Sequence, residues 1–171
     1  MLQLIERFIN QPVLSLRTGS QIALATTPII NPNNLKIIGF YCKANRERQP
    51  TILLSQDIRQ ITSDGYIVND HEVLTNPVDL VRLKDVLSWD FELYDKPVYT
   101  ISGDHVGKVG DYAVDPESLY IVKLYIEQSL MKSFTGGKLV VDRTQINEIT
   151  PKRIIIEDLI NPGTAPELAS L

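Results

Sequence analysis

Few residues in this chain of 171 can act as nucleophiles, bind a soft metal or move protons near neutral pH: His71, His105 and Cys42 are the candidates. Nucleophilic catalysis needs a hydroxyl or thiol beside a base, zinc needs a Cys/His cluster, and two-carboxylate chemistry needs both acids in one cleft. The spacing supplies none of these. His71 lies in the polar run Asn69-Asp-His-Glu72 and His105 follows Gly103-Asp104, so each reads as an exposed turn histidine. Cys42 ends an apolar run and reads as a buried small hydrophobe. Neither HExxH nor CxxC occurs. Thr135-Gly-Gly-Lys138 lacks the spacing of a phosphate loop, and Leu139 stands where that loop needs a hydroxyl. A Gly-Gly hairpin accounts for the run. Asp57 with Asp64, and Asp142 with Glu148, read as solvated acids. The chain is therefore expected to be a non-enzyme, with no catalytic residue, cofactor or metal site.

Two segments remain as recognition candidates. Lys43-Ala-Asn-Arg-Glu-Arg48 is locally basic, and its Lys43, Arg46 and Arg48 are candidate contacts to RNA or an acidic protein, against the plainer reading of a solvated loop. Leu130-Met-Lys-Ser-Phe134 places Met131, Lys132 and Phe134 in a polar, glycine-flanked setting. That suits either adaptable contacts with a partner or folding back onto the body. Over the whole chain 17 basic residues face 21 acidic ones, a formal net charge of -4. This removes the electrostatic footprint of a duplex-DNA binder.

One cysteine forms no internal disulfide, which fits a reducing, cytoplasmic setting. Glu6 and Arg7 interrupt the stretch where a signal peptide would be continuously apolar. Apolar runs such as Ile154-Ile-Ile156 last a few residues, where a spanning helix needs about 20, so no transmembrane segment is expected.

The elements that must carry these residues are mostly strands. Apolar content of 43% suffices for a core, and it comes in short pieces rich in Val, Ile, Leu and Tyr between turn dipeptides. Pro12–Leu16, Gln21–Thr26, Leu35–Tyr41, Thr51–Leu54 and Tyr66–Val68 read as strands, with Asp57–Ile61 continuing the fourth. Arg17-Thr-Gly-Ser20, Asn31-Pro-Asn-Asn34 and Ser63-Asp-Gly65 are turns. One amphipathic helix is predicted over Val78–Ser88: Asn76 caps it, Pro77 takes the first position, and Leu80, Leu83 and Leu87 form a stripe with Val86 beside it. Leu2, Ile5, Phe8 and Ile9 suit a second short helix or a strand. Trp89 and Phe91 are expected to fill the seam between the two halves.

Those halves repeat. An offset of 84 residues places Gly19 on Gly103, Ile22 on Val106, Asn31-Pro32 on Asp115-Pro116, and Leu35, Ile37 and Tyr41 on Leu119, Ile121 and Tyr125. An offset of 88 then places Ile58 on Ile146, Ile67-Val68 on Ile155-Ile156, and Asp70 on Asp158. The order of strand, glycine turn, strand, Xaa-Pro turn and long strand is kept throughout.

Each half resembles the PRC-barrel domain, found in the H subunit of the photosynthetic reaction centre and in the C-terminal half of the ribosome-maturation factor RimM. The resemblance rests on Pro97-Val-Tyr, Gly103-Asp-His-Val-Gly-Lys-Val109, Asp111-Tyr-Ala-Val-Asp115, Asp142–Ile149 and Arg153–Glu157, with Leu16–Ile22 and Thr51–Ile58 in the first half. Ala23 departs from it where the second half has Gly107, and Pro28 where it has Tyr112. It implies an all-β fold of two tandem small PRC-type barrels joined by a short amphipathic helix. The first barrel covers residues 1–75, the connector 76–94, the second barrel 95–162 and a tail 163–171. It also implies an adaptor or assembly factor with a protein partner. The alternative it carries is an RNA-metabolism role with a ribosomal component as partner, although a second barrel stands where the ribosome factor has its N-terminal domain. Self-association through unpaired strand edges stays open.

Overall fold

The computed structural model describes residues 1–128 and 139–159. The chain is mostly β, folded as two curled sheets with one short α-helix between them. In the first half the strands are β1 (Gln3–Leu4), β2 (Gln11–Ser15), β3 (Gln21–Asn31), β4 (Lys36–Ala44), β5 (Thr51–Leu54), β6 (Gln60–Thr62), β7 (Gly65–Val68) and β8 (Leu74–Thr75). After the helix α1 (Lys84–Ser88) come β9 (Pro97–Thr100), β10 (His105–Val114), β11 (Ile121–Gln128), β12 (Leu139–Asp142), β13 (Ile146–Ile149) and β14 (Ile154–Ile156).

The first sheet runs β6-β7-β2-β3-β4-β5-β8 and the second β13-β14-β9-β10-β11-β12, so the repeat in sequence is a repeat in topology. Even the one parallel pairing recurs. Val13, Leu14 and Ser15 lie beside Tyr66, Ile67 and Val68, as Val98, Tyr99 and Thr100 lie beside Ile154, Ile155 and Ile156. Left-handed backbone recurs as well, at Asn10 and Asp95, Gly19 and Gly103, and Leu35 and Leu119. Turn geometry is thus retained, with the same residue at two of these pairs and Asn10 exchanged for Asp95 at the third.

The two copies join around an approximate twofold relation. The Ile37 N–H donates to the Leu119 carbonyl at 2.9 Å, and the Ile121 N–H donates to the Leu35 carbonyl at 2.8 Å. Between them Lys36 bridges to Tyr120. The Lys36 ammonium lies 5.2 Å from the Tyr120 ring centre, and Arg143 stacks at 4.4 Å. One apolar cluster runs through both halves, from Ile5, Phe8, Val13 and Phe40 to Val98, Tyr112, Leu124 and Ile154.

Three local expectations change. The predicted helix over Val78–Ser88 is two 3-10 turns, Pro77–Asp79 and Val81–Leu83, followed by the five-residue α1. Asn76 does cap it, accepting from the Val78 N–H at 3.1 Å. Leu80 then leaves helical geometry at φ -93, ψ 67, and the β-branched Val78 and Val81 give little propensity to continue. Asp57 ends a 3-10 turn, Ser55–Asp57, and the strand resumes at Gln60. At the N-terminus neither the helix nor the strand reading covers the whole segment: β1 is followed by a 3-10 turn, Ile5–Arg7. Moreover β1 pairs with β10, Gln3 opposite Val114 and Leu4 opposite Ala113, so the first residues of the chain complete the second sheet.

Candidate functional site

The basic segment begins within β4, where Lys43 pairs with Leu24, and becomes a loop only after Ala44. Asn45 anchors it, donating from Nδ2 to the Gln21 carbonyl at 2.9 Å and from its backbone N–H to that of Ile22 at 3.2 Å. This leaves Lys43, Arg46 and Arg48 exposed. Arg46 borders a hollow of about 590 Å3 whose other walls include Glu47, Asp70, His71 and Glu72, so the local charge is mixed rather than basic. Thr51 Oγ1, buried in the same wall, has no hydrogen-bond partner among the described residues.

Asp70 is the most constrained acid of this region. Its carboxylate accepts from Ser15 Oγ at 3.2 Å and Arg17 at 3.0 Å, with His71 Nδ1 also at 3.2 Å. The backbone N–H of His71, then its ring and the Arg17 guanidinium, hold the carboxyl down to about 2. Ser15, Asp70 and His71 therefore sit together, but the carboxylate lies between hydroxyl and imidazole. A serine nucleophile requires the imidazole next to the hydroxyl. What this arrangement does is tie the end of β2 to the end of β7.

The second copy repeats the tie, with Asp158 accepting from the Ser102 backbone N–H at 3.0 Å and its hydroxyl at 2.6 Å. The offset of 88 that aligns Asp70 with Asp158 was the only sequence signal for it.

Cys42 is fully buried, and burial pushes its thiol up to about 11, away from the thiolate that reactive chemistry needs. His105 packs at a tilt of 52° against Tyr99, with ring centres 5.0 Å apart. Among the described residues, His, Cys, Asp and Glu form no group of three placed to hold a metal. Met131, Lys132 and Phe134 lie outside the described residues.

A second hollow, of about 780 Å3, opens between the copies and was not legible in the sequence. Leu80, Val81 and Leu83 of the connector, Ile38 and Leu54 of the first sheet, and Leu119 in the turn before β11 supply its apolar residues. Lys36, Asp79, Arg82 and Glu117 add charges of both signs to it; Val81 is 78% exposed there, and Val78, in the preceding 3-10 turn, is 84% exposed. Trp89, expected in the seam, is instead 43% exposed just past α1. Phe91 packs against the core with Lys96 Nζ 4.7 Å over its ring, and Leu93 takes the fully buried position. No described helix is long and apolar enough to cross a membrane.

Compared with protein-family models and with curated proteins, the chain matches none.

Proposed function

We propose that this chain is a tandem PRC-barrel-type protein working as a protein-interaction adaptor or assembly factor, not as an enzyme. The observation that carries the reading is the connector. Its Val81 stands exposed at a hollow between two structurally matched copies, where Leu80, Leu83, Ile38, Leu54 and Leu119 lie among Lys36, Asp79, Arg82 and Glu117, and Val78 in the preceding turn is exposed as well. Exposed valines and leucines rimmed by charges of both signs favour protein contact, and mixed charge around the basic loop gives nucleic acid no preferred footing. Closure of each curled sheet into a PRC-type barrel belongs to the same proposal, supported by the shared topology and the recurrent left-handed turns. So does a cytoplasmic setting, supported by a lone, buried thiol.

Affinity capture of the tagged chain from native lysate, with and without nuclease, tests the reading. A protein set that survives nuclease is expected. Ribosomal proteins or RNA lost on nuclease treatment would replace this reading with the RNA-metabolism role and direct mutations to Lys43, Arg46 and Arg48.

A further inference from the structure

Register makes the copies comparable strand by strand, and at one edge they differ. Tyr41 and Cys42 of β4 pair with Ile52 and Thr51 of β5, and their counterparts Tyr125 and Ile126 of β11 pair with Val140 and Leu139 of β12. Beyond β5 the first sheet continues, because β8 lies antiparallel on it with Thr75 opposite Ile52 and Leu74 opposite Leu53. Beyond β12 no strand follows among the described residues. Burial follows the difference: Ile52 is 0% exposed, while Val140 at the same register is 42% exposed. One residue further on, Leu53 and Val141 are equally buried, at 0% and 1%. Among the described residues the inner face is thus complete in both copies, and only the outer position and the edge of the second are left uncovered.

The sequence after β14 is poorly suited to supply a counterpart of β8. Counting from Asp70 and Asp158, Leu74 and Thr75 correspond to Pro162 and Gly163. Proline has no N–H for a ladder, and both residues are poor strand formers.

We propose that the β12 edge is a strand-addition site that takes an extended segment of a different polypeptide, antiparallel to Leu139–Asp142. The first copy shows what fits: an apolar residue at the register of Leu74, followed by a β-branched one at that of Thr75. Backbone hydrogen bonds supply affinity in such pairing, and alternate side chains supply selectivity. The inference rests on the adaptor reading and gives it a mode of binding.

The test is a titration of the isotope-labelled full chain with a capped peptide of the sequence His-Glu-Val-Leu-Thr-Asn, that of residues 71–76. Saturable shifts of the Val140 and Val141 amides below about 1 mM peptide, with slowed hydrogen exchange there, are expected. N-methylating the Leu or the Thr amide of the peptide removes a donor without touching the protein, and at least one of the two should weaken binding roughly tenfold.

Absence of shifts at residues 139–142, or shifts confined to β5, would overturn the proposal. So would binding seen only after deletion of residues 160–171, which makes the chain's own end the occupant. A dimer in sedimentation that the peptide competes away would equally overturn it, in favour of a second copy. Since the probe is this chain's own sequence, the result does not depend on what lysate capture finds, and the two readings fail separately.

Discussion

At the scale of single residues, the paired acids make the sharpest statements. Asp70 has its carboxyl depressed to about 2 from an ordinary 3.8, first by the His71 backbone N–H and then by its ring and Arg17. A depressed folded value means that the carboxylate contributes stability above about pH 4 and loses it as pH falls toward 2. Urea midpoints of the wild type and Asp70→Asn should therefore differ fully above about pH 4 and converge below it; a gap independent of pH would refute the assignment.

The Tyr66 hydroxyl donates to the Phe8 carbonyl at 2.6 Å within the core. Tyr66→Phe strands that carbonyl and should cost about 1–2 kcal/mol in equilibrium unfolding. At Gly107 an added Cβ would meet the Glu127 carbonyl oxygen at 2.1 Å, so Gly107→Ala should cost about 1–3 kcal/mol by the same measurement. Its counterpart Ala23 already carries that carbon, fully buried. The departure from the repeat noted in the sequence goes with a difference in backbone: Gly107 sits at φ 158 beside a register shift, a conformation Ala23 does not share.

At the scale of elements, the connector decides most. Its apolar stripe and its cap were readable, because capping and residue spacing are local. Its break into two 3-10 turns and a single turn and a half of α-helix was not, since that depends on where Leu80 and Leu83 meet the flanking sheets. Leu80, Leu83, Val86 and Leu87 are half-buried, whereas Val78 and Val81 face outward. Replacing both valines by serine should change folding stability by no more than about 0.5 kcal/mol each. The same variant should recover markedly less of the nuclease-resistant protein set in capture; undiminished recovery would remove the connector from the proposed interface.

At the scale of the whole molecule, the copies behave as one body. Reciprocal backbone hydrogen bonds at Leu35–Ile37 and Leu119–Ile121 tie them, and β1 crosses from the first half of the sequence to the second sheet. Small sheets of this size bury too little surface to be secure alone. Ile5, fully buried beside β1, is the residue to probe. Ile5→Ala should cost about 2–4 kcal/mol and shift one shared transition. Far-UV circular dichroism and amide exchange at β2 and β9 should report the same midpoint, and separate midpoints for the two sheets would show the copies to be independent.

The sequence by itself determined most of the strands, the glycine and Asn-Pro turns, and the existence of two copies, while β3 runs on to Asn31 and β8 went unread. Alternating hydrophobicity and left-handed backbone positions are local properties that survive changes of side chain, as Asn10 and Asp95 illustrate. It also located the basic loop, because charge runs are read directly. Only the tertiary structure decided that β1 serves the opposite copy, that Trp89 is partly exposed while Leu93 is buried, and that Ile52 is covered where Val140 is not. Each of these depends on contacts between residues far apart in the chain. Similar residues at matching places, Ile52 and Val140, differ in exposure because one edge carries β8 and the other, among the described residues, ends at β12.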